Sequence, residues 1–272
     1  MNRTVARIPA RISALRSELL RLTADGATGT LRVGVDGAVH LNEGAVSFVE
    51  CGRCPPLKVL LTVAGKVEDE CWDRAQNGGE PGPILIQDGL LTPTELEMFV
   101  LLSVYDAGFA LLSAPAAMPK FTAQAPHWLA PVWRTTAERL IAESDRRAGA
   151  LDMLWSGPPV DEEPVTPLRR MDRQRLALTG LQAEILLNAD GRRTPAALAR
   201  DLGRTRYGCL AAVRGLAAAG LLENARAPEP VIPLRTRAAR TATQLNRRST
   251  PLWTEIDEDL LTRLHHGLSD LT

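Results

Sequence analysis

The spacing of apolar residues changes near the start of the chain, and this change most constrains the fold. Apolar residues at i, i+3, i+7 and i+10 share one helix face, a pattern formed by Ile12, Leu15, Leu19 and Leu22. From residue 31 they alternate instead, which is the period of a strand, at Leu31, Val33, Val35, Val39, Leu41, Val46 and Phe48. Asp36-Gly37, a dipeptide suited to left-handed turn angles, and "NEG" at 42–44 divide this stretch into three strands. The pattern predicts an α+β fold that begins with a helix and a β-meander.

The next hundred residues predict three more helices and a strand. Leu57, Leu60, Leu61 and Ala64 form a helical face after two prolines. Another helix begins at Thr92, with a capping box at Glu95, and Gly108 is a candidate stop. "FALLSAP" at 109–115 is interpreted as a strand, and apolar residues around Leu140 predict a last amphipathic helix.

The first 150 residues resemble a known signalling module. This order of elements, with "TGTLRV", "NEGAVSFVECG" and "GPILIQDGLLTPTELE...GFALL" in their places, resembles the PATAN-type domain of bacterial signalling proteins over about residues 10–150. The resemblance implies a non-enzymatic interaction domain that receives a protein signal. Such domains are often coupled to receiver, roadblock-type or DNA-binding modules. We assign residues 1–156 to this domain.

"RTPAALARDLGRTRYGCLAAVRGLAAAGLLE" at 193–223 predicts two helices joined by a turn. Thr194 is the expected N-cap with Pro195 at the first helical position, Gly203 ends the helix, and Thr205 starts the next. With the preceding helix, the stretch resembles the winged-helix domains of MarR-like regulators over about Thr179 to Glu223. The prolines that follow "GLLE" indicate a degenerate wing.

Three further segments complete the predicted organisation. "GPPVDEEPVTP" at 157–167 is proline-rich and acidic, which is typical of an exposed connector, so the domain boundary is placed there. Residues 168–226 form the winged helix-turn-helix domain, and 227–251 an Arg/Pro-rich arm. Leucines of one face predict a C-terminal amphipathic helix in 252–272.

The charge distribution suggests a nucleic-acid partner. The chain has zero net charge, but residues 168–250 contain 16 arginines against 6 acidic residues. Arg204 and Arg206 flank the start of the second helix, where phosphates usually lie, whereas Tyr207 and Arg214 share an outer face that is expected to read bases. The predicted contacts to double-stranded DNA are Arg192, Arg193, Arg204, Thr205, Arg206, Tyr207 and Arg214.

Two functions stay open at this point. The first is a bacterial DNA-binding transcriptional regulator whose N-terminal domain receives the signal from a protein partner. The second is an adaptor that does not bind DNA and uses the winged helix as a docking surface, because much of the outer face is alanine. Either protein could form a homodimer.

The cysteines and histidines give weaker signals. "CGRC" at 51–54 could be a redox pair, half of a zinc site, or a set of small residues at a tight turn; we favour the turn because there is no second CxxC. His40, His127, His265 and His266 are interpreted as surface or hydrogen-bonded residues. We therefore expect no metal, no cofactor and no enzymatic activity. The apolar runs are shorter than a membrane span, so a cytoplasmic protein is expected.

Overall fold

The computed structural model describes residues 10–113, 118–157, 159–168 and 177–223. These residues belong to one compact unit that spans 1–229. The expected arm at 227–251 and C-terminal helix at 252–272 lie outside the described residues. The described chain is α+β, as predicted, with helices around a four-stranded antiparallel sheet.

The helices and strands follow one another in this order: α1 Ala10–Ala24, β1 Gly29–Val33, β2 Gly37–Asn42, β3 Ala45–Cys51, α2 Leu57–Val63, α3 Asp69–Asn77, α4 Pro81–Gln87, α5 Pro93–Leu112, β4 Lys120–Ala123, α6 Ala137–Leu154, α7 Gly180–Asn188, α8 Pro195–Asp201 and α9 Arg206–Ala218. The sequence pattern did not predict α3, α4 or β4.

The predicted meander is present, but its first turn differs from the expectation. The sheet order is β3-β2-β1-β4. The left-handed residue between β1 and β2 is Gly34, at φ 56°, rather than the Asp36-Gly37 pair. Gly37 is required for a different reason, since a Cβ atom there would lie 2.0 Å from the carbonyl oxygen of Glu50 on the neighbouring strand. Glu43 and Gly44 supply the left-handed angles of the second turn, at φ 52° and 78°.

The central helix α5 is longer than predicted. It passes through Gly108 and ends at Leu112, so the predicted strand at 109–115 is wrong. Gly108 is not a stop, because it lies where α5 crosses α6. A Cβ atom at Gly108 would lie 2.6 Å from Cδ1 of the buried Leu140.

The caps predicted from the sequence are confirmed. Thr92 and Glu95 form a capping box at the start of α5. Thr194 caps α8 with Pro195 in its first turn, and Thr205 caps α9. Gly203 turns the chain between these two helices at φ 58°.

The segment 157–167 is not the exposed connector that its prolines and acids suggested. Val160 and Val165 are 1% and 0% exposed and belong to the hydrophobic cluster around α7, α8 and α9. Pro167 forms a β-bridge with Leu222, close to the position where a wing would begin. The segment is therefore part of the hydrophobic cluster around α7, α8 and α9, because Val160 and Val165 pack into it.

Candidate functional site: the covered face of α9

The N-terminus of α9 is bound by a buried carboxylate of α5. Asp106 is 2% exposed, and it accepts hydrogen bonds from the backbone N–H groups of Arg206 at 2.7 Å and Tyr207 at 2.8 Å. Burial raises the pKa of Asp106, whereas the two N–H donors act in the opposite direction. The carboxylate fills the usual anion position at a helix N-terminus. A phosphate group would have to displace it.

Tyr207 lies in a small apolar cluster between α5, α6 and α9. Its ring packs edge-on against Phe109, with ring centroids 5.6 Å apart. The guanidinium of Arg147 lies 4.7 Å from the centroid of the Tyr207 ring, a cation–π contact. Leu151 and Leu210 complete this cluster and are buried. The side chain that was expected to face DNA therefore packs against the N-terminal part of the chain.

The two arginines on this side of α9 pair with acids of the 157–167 segment. Arg206 is 6% exposed, and its Nη2 atom donates to Glu162 at 2.7 Å. Arg214 binds both carboxylate oxygens of Asp161, at 2.9 and 2.7 Å. It also donates to Asp152 at 3.1 Å. The expectation that this face of α9 is open is wrong, because carboxylates and aromatic rings cover it.

The other four residues predicted to contact DNA lie outside this covered face. Thr205 accepts the N–H of Gly208, and Arg204 pairs with Glu184 at 3.0 Å. Arg193 pairs with Asp201 at 3.1 Å. Arg192 is exposed. Of the seven predicted residues, Arg206, Tyr207 and Arg214 come together, and they do so at an internal interface.

The "CGRC" turn lies at the same junction. Arg53 donates to the carbonyl of Ala110 in α5 at 2.6 Å, and Arg200 of α8 donates to the carbonyl of Gly52 at 3.1 Å. The Cys54 thiol donates to the carbonyl of Asp106 at 3.6 Å. These contacts join α5 and α8 through one tight turn.

The two thiols of this turn are buried and influence each other. Interaction with the neighbouring Cys54 thiol lowers the pKa of Cys51. The same interaction, together with burial, raises the pKa of Cys54. Both cysteines are free thiols. The interpretation of the motif as a structural turn stays a prediction.

The sequence analysis missed the acidic partners and one polar cluster. Asp106 lies in a strongly apolar helix, and nothing in its local sequence links it to a segment 100 residues away. The structure also brings together His40, Glu50 and His127, although His40 and His127 were interpreted as surface or satisfied residues. Burial and the neighbouring His40 ring lower the pKa of His127 to about 4, so its ring is neutral at pH 7.

Comparisons with protein-family models, with characterised proteins and with solved structures gave no match to this chain. Among the described residues, no helix combines the length and the apolar character that crossing a bilayer requires.

Proposed function

We propose that this protein is a non-enzymatic, cytoplasmic adaptor of bacterial signalling, in which the helix-turn-helix packs against the N-terminal domain of the same chain and does not enter a DNA groove. One observation carries the proposal: the Asp106 carboxylate occupies the N-terminus of α9 and accepts both the Arg206 and Tyr207 N–H groups. A recognition helix in the major groove contacts base edges with its N-terminal residues. The two backbone N–H groups cannot donate to Asp106 and to a DNA phosphate at the same time.

The paired arginines support the same conclusion. Arg214 forms a bidentate ion pair with Asp161, and both side chains are largely shielded, at 16% and 27% exposure. A bidentate pair of this kind combines strength with fixed geometry. DNA binding through this face would require this pair, the Arg206–Glu162 pair and the Tyr207 packing all to separate. In the adaptor they keep the helix-turn-helix attached to the signal-receiving domain.

DNA binding by the Arg-rich arm is the second candidate, and the charge distribution favours it. Only six of the 16 arginines between 168 and 250 lie in 177–223, where four acidic residues accompany them. The other ten, against two acids, lie outside the described residues, and five of these ten, against one acid, belong to the arm at 227–251. A regulator that uses these arginines would contact phosphates without using α9 to read bases.

The test is a salt-titrated binding assay of the full chain on genomic duplex fragments, with matched arginine variants. We expect Arg214→Ala to leave any DNA affinity unchanged. The control is Arg139→Ala, which removes an exposed arginine of α6 and should also leave the affinity unchanged. If Arg214→Ala abolishes sequence-specific binding and Arg139→Ala does not, the adaptor proposal is refuted.

The arm is tested in the same assay. Replacing Arg235, Arg237 and Arg240 together by Gln removes three positive charges outside α9. If the arm contacts phosphates, affinity falls for every sequence and the salt slope decreases by about 1 for each lost contact. If the triple variant binds like the unmodified chain, DNA binding by the arm is refuted.

A further inference from the structure

One face of the sheet carries a cluster of three polar side chains that the proposed function does not use. His40 on β2 and Glu50 on β3 are diagonal neighbours, because the register pairs His40 with Phe48 and Ala38 with Glu50. His127, in the segment that follows β4, lies over them, with its ring centroid 4.5 Å from that of His40. One potential ligand atom from each of the three residues lies within 4.8 Å of the other two.

His40 is the central residue of this cluster. It is 8% exposed, and its Nε2 atom is buried without a hydrogen bond. An unpaired polar atom in a buried site is expensive, and most such atoms have a partner. Its other nitrogen, Nδ1, lies 3.0 Å from Oγ1 of Thr30, which also accepts a hydrogen bond from Gln124. The ring is therefore held through Nδ1, while Nε2 on the other side faces the Glu50 carboxylate without a hydrogen bond.

The distances in the cluster fit a metal ion. Nε2 of His40 lies 3.4 Å from Oε1 of Glu50. Two ligands bound to one tetrahedral Zn²⁺, at about 2.0–2.2 Å each, are themselves about 3.3–3.5 Å apart. The third ligand atom lies within 4.8 Å of the other two, so it needs a shift of at most about 1.5 Å to complete a tetrahedral set, and the exposed Glu50 side chain can also adjust.

We propose that His40, Glu50 and His127 bind one divalent transition-metal ion, with Zn²⁺ as the expected metal. Two imidazoles and one carboxylate suit Zn²⁺, and three protein ligands leave its fourth position for water. With Nε2 bound to the ion, the ring proton lies on Nδ1 and is donated to Oγ1 of Thr30, which orients the ring as outer-shell partners do in zinc sites. Glu50 and His127 also line a groove of about 960 Å³, from which the fourth ligand enters.

The test is Zn²⁺ titration of the full, metal-free chain by calorimetry, with metal content measured after dialysis. We expect one Zn²⁺ per chain. Glu50→Gln and His127→Gln should each weaken binding at least tenfold. Thr30→Val, which keeps the shape of the side chain and removes the hydroxyl, should weaken it by about 10–100-fold. Glu50 is exposed, so Glu50→Gln tests the site even if a buried variant misfolds.

Two control variants test the other histidines and the CxxC pair as metal ligands. The only further histidines are His265 and His266, and His265→Ala/His266→Ala should bind Zn²⁺ as the unmodified chain does. Cys51→Ser/Cys54→Ser should also retain binding, and the Co²⁺ complex should lack a thiolate-to-metal absorption band. No stoichiometric Zn²⁺, or binding that is lost in either control and kept in Glu50→Gln, would overturn the proposal.

Discussion

Replacing Asp106 with Ala should destabilise the protein strongly, because one side chain binds two backbone donors of α9. A buried N–H group left without a partner costs about 1–3 kcal/mol. The variant leaves two such groups, at Arg206 and Tyr207. Removing a buried carboxylate whose pKa is raised by burial also relieves a desolvation cost, which offsets part of this loss. We expect a decrease in the free energy of unfolding of about 2–4 kcal/mol.

The measurement is urea denaturation followed by circular dichroism, with hydrogen exchange of the peptide that contains the first turn of α9. Asp106→Asn keeps one carbonyl acceptor and should lose about half as much. Asp25→Asn, at an exposed carboxylate paired with Arg21, is the control and should change stability by less than about 1 kcal/mol. If Asp106→Ala is no less stable than Asp25→Asn, and exchange in α9 is unchanged, Asp106 does not anchor the helix.

Three further predictions test other parts of the structure by chemical denaturation. Gly108→Ala should lower the unfolding free energy by about 1–3 kcal/mol, because the added Cβ overpacks the contact with α6. Gly149→Ala is the control: the added Cβ has no neighbour within 4 Å, so the variant should raise the unfolding free energy by about 0.5–1 kcal/mol. Equal effects of the two variants would contradict a close crossing of α5 and α6 at Gly108. Interaction with Cys54 lowers the pKa of Cys51 in the folded chain, so the thiolate adds stability that is present at alkaline pH and is lost as the pH falls through the lowered pKa. The advantage of the unmodified protein over Cys51→Ser should therefore grow as the pH rises, and a pH-independent difference would contradict this. In a double-mutant cycle, Arg214→Ala and Asp161→Ala should show a coupling energy of about 1–3 kcal/mol; additive effects would mean that the bidentate pair contributes nothing.

Local signals predicted the parts of the fold that depend on a few neighbouring residues. The caps at Thr92, Thr194 and Thr205 follow from a side chain that reaches a backbone N–H three residues further on. Such contacts need no tertiary partner, so the sequence predicts where these helices begin. The alternation that predicted β1 to β3 is also local, but it does not show how deeply the strands are buried, since β2 and β3 each contain four consecutive buried residues.

Features that depend on distant residues could not be predicted in the same way. Gly108 has the local character of a helix stop, but contact with Leu140 makes it a crossing point between two helices. His40 and His127 are 87 positions apart, and only the segment after β4 brings them together. The direction of Arg214 likewise depends on a carboxylate 53 residues earlier. A single sequence contains no local pattern for any of these three contacts.

The charge pattern itself supports an internal role for the arginines of α9. The acids of "GPPVDEEPVTP" and the arginines that follow were interpreted separately, as a solvated connector and as a DNA-binding block. In the structure, Asp161 and Glu162 of that segment pair with Arg214 and Arg206. A carboxylate that binds an arginine through both oxygens uses the same N–H donors that a phosphate would need. An excess of arginine therefore indicates a phosphate-binding surface only where the arginines are not already paired with carboxylates. In α9 those donors are already bound, and the unbalanced positive charge lies elsewhere in the chain.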